Sequence, residues 1–276
     1  MLQFSVNDGR CTRCGLCVLD CPAFIIDREG DGLPHIEPDK EPLCLQCQHC
    51  LAICPTGAVS ILGRKPEDSQ PLSADSFPRL EDMSRFVRGR RSVRQYKDEN
   101  VDPGLLRQLL ATLANVPTGV NQRKLTFSVI DDKAVMQRLR EKTLAALAAA
   151  VESGRIPEDC VYLRRLAPAY YRQRRDLMFR GAPHALIVSA PPTAACGHED
   201  VVLALAYFEL LAQSAGLGTV WWGMLRMVFE TLPELKPLIG VPDGHFYYAM
   251  LFGVPAIRYA RTVQRDDAAV IRKVTL

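Results

Sequence analysis

From residue 80 onward the apolar positions fall into alternating helical and strand-like stretches. Leu80 to Gly89 reads as a short helix, and Pro103 to Asn115 as a second, with Asp102 placed to cap it and Pro103 at its first position. Leu125 to Ile130 predicts a strand, and Asp132 to Glu152, rich in Ala and Leu, a long helix ended near Gly154. A strand is expected at His184 to Ala190 and a buried helix at Val201 to Ala215, whose most apolar part, Val201 to Ala212, is interrupted by Glu209. Gly216-Leu217-Gly218 then leads into a strand at Thr219 to Trp222, and a last strand covers Phe246 to Phe252. Strands separated by long crossovers favour an α+β or α/β sheet with helices on its faces. Between Ile156 and Arg180 the chain is basic and aromatic. Arg155, Arg164, Arg165, Arg172, Arg174, Arg175 and Arg180 crowd this region, whose plainest reading is a solvated amphipathic helix; a lid over an anionic substrate and a docking face are the alternatives.

The first 63 residues follow a different rule. Eight of the ten cysteines repeat one pattern, Cys11, Cys14, Cys17 and Cys21 before Pro22, then Cys44, Cys47, Cys50 and Cys54 before Pro55. A cubane iron–sulfur cluster takes four thiolates, and three closely spaced cysteines supply only three. In the two-cluster bacterial arrangement the fourth cysteine of each run ligates the other cluster. Cys11, Cys14, Cys17 and Cys54 therefore form one expected set, and Cys44, Cys47, Cys50 and Cys21 the other. A zinc ribbon does not use a third cysteine at the same spacing and a fourth before proline, twice over. No secretory signal precedes the cysteines, which argues against a disulfide framework. This segment resembles bacterial two-cluster ferredoxins.

Length and charge sharpen the division. A chain of 276 residues suggests two domains. Residues 1–63 carry four Lys/Arg against eight Asp/Glu, a net −4, which leaves +7 for the rest of a chain whose total is +3. The expected domains are 1–63, a linker over 64–80 containing Pro66, Pro71 and Pro78, and 81–276. The apolar run at Val201 is too short to span a bilayer, and no concentrated basic patch points to nucleic acid. A cytoplasmic protein is the expectation. Cys160 and Cys196 read as free buried cysteines, and His35, His49, His184, His198 and His245 have no metal-ligand spacing.

Three loops carry candidate chemistry. Arg90-Arg91-Ser92-Val93-Arg94 offers guanidinium forks and a hydroxyl suited to phosphate, though an arginine run at a helix end is equally a solvated cap. Pro117-Thr118-Gly119-Val120-Asn121 presents donors and acceptors to a planar heterocycle, or is a routine turn. Gly216-Leu217-Gly218-Thr219-Val220-Trp221-Trp222-Gly223 enters a strand from a helix, so it is no Rossmann fingerprint.

Taken in order, and joined by Phe252-Gly253-Val254-Pro255 and Tyr259 to Arg265, these segments resemble the FMN-dependent nitroreductase family over about residues 81–266. Arg123-Lys124-Leu125 stands where the family commonly carries Gln-Pro-Trp. The resemblance implies a ferredoxin-like domain followed by an α+β sandwich that binds FMN, in a homodimer with flavins at the subunit interface. It implies that Arg90, Arg91, Ser92, Arg94 and Arg265 hold the phosphate and ribityl chain. Pro117, Thr118, Gly119 and Asn121 would approach the ring system from the partner subunit, and Trp222 and Gly223 would face flavin N5. Beyond the flavin no catalytic side chain is needed. The expected activity passes electrons from two 4Fe–4S clusters to FMN and on to a nitroaromatic, quinone or activated alkene, with a ferredoxin or NAD(P)H as candidate donor. A relay to a protein partner is the alternative.

Overall fold

A computed structural model describes residues 2–265 and 269–275. The chain divides into two compact units, Met1–Pro78 with Val120–Gln122, and Arg79–Gly119 with Arg123–Leu276. The proline-rich stretch expected as a linker falls within the first unit, where Pro66–Asp68 and Ala74–Ser76 form single 3-10 turns.

The first unit is built almost without regular structure. Strands β1 (Ser5–Val6) and β2 (Val59–Ser60) pair antiparallel, and α1 (Leu16–Leu19) and α2 (His49–Ala52) are one turn each. Its small core joins Leu2, Ile25, Ile26, Leu51, Val59 and Ile61 to three buried cysteines, Cys17, Cys21 and Cys50. The unit repeats itself at an offset of 33 residues. Arg13 and Gln46, Gly15 and Gln48, and Phe24 and Gly57 are matched pairs, all with left-handed φ, between 53° and 74°. The same turns recur in hydrogen bonds: Leu19 N to Gly15 O answers Ala52 N to Gln48 O, and Phe24 N to Cys21 O answers Gly57 N to Cys54 O.

The second unit is an α/β/α sandwich around one antiparallel sheet. Strands β3 (Thr126–Ile130), β4 (His184–Ala190), β5 (Gly218–Trp221) and β6 (Phe246–Gly253) lie in the order β3-β4-β6-β5, every neighbour antiparallel. The sheet thus belongs to the α+β class. Alternation along the central strands makes two cores. Ala185 and Ile187 of β4 with Tyr247, Ala249 and Leu251 of β6 face α5 (Lys133–Glu152), α6 (Val161–Gln173) and α8 (Gly223–Thr231). Leu186, Val188, Met250 and Phe252 face α4 (Pro103–Thr112) and α7 (Gly197–Ser214). The remaining helix, α3 (Leu80–Gly89), buries no residue fully.

The expected elements are present with shifted ends. Asp102 accepts from Leu105 N at 2.7 Å and Asp132 from Ala134 N at 2.8 Å, so both helices start at carboxylate caps. The Pro103 helix gives way to a 3-10 turn at Leu113–Asn115, and α7 begins at Gly197, four residues before the apolar run. Sequence periodicity missed α8 and the 3-10 stretch Pro233–Ile239. The basic segment is amphipathic: Leu163, Leu166, Ala167 and Ala169 are buried, and Arg165, Arg172, Arg174 and Arg175 are exposed. Arg164 Nη2 donates to Ile156 O at 2.7 Å and Arg155 pairs with Glu234 at 2.7 Å.

His184 is fully buried at the head of β4, between Val101 N, which donates to Nε2 at 3.0 Å, and Ile130 O, 3.2 Å from Nδ1. Burial holds its pKa below the ordinary value, the backbone hydrogen bond opposing. The neutral ring is therefore favoured in the folded state. Stability is retained above the unfolded pKa of about 6.5 and falls as pH drops below it, by at most about 1.4 kcal/mol per pH unit. The melting temperature of the second unit should fall between pH 7 and 5. His184→Gln should flatten the part of that slope that belongs to this ring, and an unchanged profile in the variant would assign the acid lability elsewhere.

Candidate cofactor sites

In the first unit Cys17, Cys21 and Cys50 lie in the core and Cys44 and Cys54 pack against it. All ten cysteines are free of disulfides, but Cys196 is exposed and Cys160 only partly buried, which corrects the expectation that both are buried. Cys17 is pushed up by burial, with Cys54 and Cys11 as the thiols that add to the effect. Cys44 is also raised by burial, with Cys47 and Cys21 as its neighbours, and Cys50 is pushed up to about 12 by burial foremost. For Cys54, burial is outweighed by donors: Ala58 N lies 3.1 Å from its Sγ, and with Thr56 it holds the thiol below its ordinary value. Cys54 thus neighbours Cys17, and Cys21 neighbours Cys44, across the two runs. Cys50 also neighbours Cys17, so thiols of the two runs lie together in this unit. Buried thiols pushed toward the neutral form need a cationic centre to ionise together, which iron supplies. Among the described residues no three ligating side chains converge as for a single ion; a cubane holds its thiolates apart around an inorganic core and has no such requirement. His49 Nδ1 lies 3.1 Å from Asp20 Oδ2, an exposed pair outside the ligand sets.

In the second unit a cavity of about 540 Å³ is lined by Val87, Arg88, Arg90, Arg91 and residues 262–265. Arg90, Arg91 and Arg265, far apart in sequence, therefore share one wall system with Arg88. Ser92 and Arg94 do not line it. Ser92 bridges to Thr219 in parallel register, its carbonyl accepting from Arg94 Nη1 and Tyr259 Oη, both at 3.3 Å.

The other expected residues serve as shaped backbone. Gly119 N donates to the buried Asp200 Oδ1 at 2.9 Å, and a Cβ on Gly119 would lie 2.8 Å from Cys196 Sγ, so only glycine fits this loop without displacing α7's entry. Thr118 Oγ1 accepts from Arg123 N at 3.0 Å. Pro117 precedes it at the same bend, which Val120, Asn121 and Arg123 continue with left-handed φ. Asn121 groups with the first unit, its Nδ2 donating to Leu45 O at 2.8 Å. Trp222 is 2% exposed, anchored by its indole to Met178 O at 3.0 Å and packed at a tilt against Phe179. Its N–H is spent on Ala249 O at 2.8 Å. Gly223 opens α8, where a first-turn N–H has no intrahelical acceptor, and a Cβ there would meet Tyr248 Oη at 2.6 Å. Of the two residues at this turn, Gly223 is the one with a backbone donor to offer.

Sequence reading missed two buried carboxylates on α7, Asp200 and Glu209. Asp200 holds the Gly119 loop and Glu209 holds Arg90. The interruption of the apolar run by Glu209 was the visible signal.

The second unit is thus an α+β sandwich with a cavity rich in arginine and a glycine-opened helix after its edge strand. Residues 87–254 match the nitroreductase family and residues 10–59 a 4Fe-4S dicluster domain. The chain belongs to the nitroreductase family and carries a ferredoxin-type domain ahead of it. The NAD(P)H FMN reductase of Bacillus subtilis is 26% identical over 197 residues, 71% of this chain and 75% of that protein. The methylamine utilization ferredoxin-type protein MauM of Methylobacillus flagellatus is 43% identical over 60 residues, and the match spans 19% of this chain and only a quarter of that relative's length. A nitroreductase from Bacteroides fragilis, solved with bound FMN, superposes with a TM-score of 0.54 at 22% identity, covering 68% of this chain and 97% of that one. Among the described residues no helix is long and apolar enough to cross a membrane.

Proposed function

We propose that the chain is an iron–sulfur flavoprotein that draws electrons through two 4Fe–4S clusters to FMN and delivers them to a small organic acceptor of the nitroaromatic, quinone or activated alkene type. The observation that carries this reading is the arginine cavity: Arg88, Arg90, Arg91 and Arg265 line one space, and arginine is the side chain suited to a phosphate. It occurs in a chain whose first unit carries the doubled cysteine run of a two-cluster carrier, for which the crossed sets are the proposed ligands.

When bound, the clusters supply one-electron carriers and FMN supplies hydride transfer at N5. The chain's own groups bind and orient. Arg90, Arg91 and Arg265 clamp the phosphate, while Ser92 and Arg94 lie along the same arm toward the ribityl chain. Gly223 N–H is the donor available for N5, and Trp222 fixes that turn by burying its indole. Pro117, Thr118 and Gly119 form a wall tied to α7 through Asp200. Val202, Leu203 and Tyr207 are exposed together on α7, which suits a homodimer. Free thiols suit a reducing, cytoplasmic setting.

Anaerobically purified protein should release FMN on acid treatment, contain about eight iron atoms per chain, and sediment as a dimer. Reduced with dithionite, it should be reoxidised by a panel of nitro, quinone and enone compounds. Reoxidation by protein acceptors alone would favour a relay, and cluster-replete protein without FMN affinity would end the flavin reading. Flavin bleaching by NADH, NADPH and reduced ferredoxin, compared in parallel, identifies the donor.

A further inference from the structure

Glu209 lies on the buried side of α7 with 6% exposure, in a helix otherwise packed with Val201, Ala204, Leu205, Phe208 and Ala212. A carboxylate in such a place is costly unless every oxygen is satisfied, and an apolar residue of similar volume would pack the interface as well or better. Its two oxygens receive three donors. Arg90 Nη1 and Thr219 Oγ1 lie 3.0 and 3.4 Å from Oε1, and Trp221 Nε1 lies 3.2 Å from Oε2.

Those donors come from two parts of the site. Arg90 stands at the rim of the arginine cavity. Thr219 and Trp221 belong to β5, the strand that runs into Trp222 and Gly223. The arm and the strand are tied a second time by backbone, Val93 N donating to Thr219 O at 2.8 Å. The Arg90 side chain is still one-third exposed, at 33%, so one nitrogen of its fork is held while the rest of the group remains open.

We propose that Glu209 is a positioning residue for the anion site: it fixes the Arg90 guanidinium at the cavity rim in advance of binding, so that the phosphate of FMN meets an ordered fork. This inference rests on the FMN reading above. A long side chain that is already ordered loses less freedom when its ligand arrives, and the gain appears as affinity. Glu209 offsets the charge of Arg90, which leaves Arg88, Arg91 and Arg265 to supply the attraction for the anion. The effect is therefore specific to ligands that carry a phosphate.

The test uses the full chain, stripped of flavin and titrated with FMN and with riboflavin, which has the same ring and ribityl chain but no phosphate. Glu209→Gln keeps volume and an acceptor but removes the charge that grips Arg90. It should weaken FMN about tenfold, or about 1.4 kcal/mol, and change riboflavin affinity by less than about twofold. In an Arg90→Ala background the same change should alter FMN affinity by less than about twofold, because its target is gone. Equal losses for both flavins, an unchanged or tightened FMN affinity, or an additive loss in the Arg90→Ala background would each overturn the proposal; a tightened affinity would mean that masking the charge of Arg90 outweighs ordering its fork. Should Glu209→Gln fail to fold, Glu209→Asp carries the same expectation, since one methylene less withdraws the carboxylate from Arg90. Failure of both to fold also assigns Glu209 to structure alone. Wild-type protein that does not bind FMN defeats the flavin reading and this inference together; wild-type binding with an unaffected variant defeats only the inference.

Discussion

Stripping the iron from this protein should unfold its first unit and spare the second. Unit one has two strands of two residues and two helices of four, and three of the nine residues in its buried core are cysteines. So small an apolar core does not hold a chain segment by itself. Chelation under anaerobic conditions should open residues 1–78 to protease while residues 123–265 stay protected. Cys54→Ser should lower iron from about eight to about four atoms per chain if the sets are crossed as assigned. Survival of an iron-free, protease-resistant first unit would contradict this account.

Arg265→Glu should yield protein that purifies without flavin. The substitution removes one charge-assisted fork, worth about 1.5–3 kcal/mol, and places a repelling charge in a cavity shared with Arg88, Arg90 and Arg91. A loss of at least about a hundredfold in FMN affinity follows. Iron content should be unaffected, since residue 265 lies in the second unit. The flavin-to-iron ratio of the purified variant measures both at once, and wild-type flavin content would remove Arg265 from the site.

How far these sites could be read from sequence depended on whether the chemistry is local. The cysteine runs are local, and ligand spacing within a few residues declares the cluster type. Asp102 and Asp132 announce their helices for the same reason. The arginine cavity joins residues some 170 positions apart, and only the ordered resemblance brought Arg265 to Arg90. Helix α8 was missed because it begins at Gly223 immediately after a strand, with no capping side chain and no break in apolar character. Glu209 registered as an interruption in an apolar run and no more. Its meaning depends on Arg90, Thr219 and Trp221, which only the folded chain gathers around it. The Trp222–Gly223 turn was read as a pair, whereas the fold spends one N–H on Ala249 and leaves the other.

The 33-residue repetition of the first unit bears on how such a module can arise. With the ligand sets crossed as proposed, each half would supply three thiolates to its own cluster and export its fourth, so neither half would be chemically closed. A peptide of half this length could complete its sites only by pairing with another copy, at a rate and yield set by its concentration. Joining the copies head to tail turns that encounter into a folding step within one molecule, and assembly then becomes independent of how many chains the cell contains.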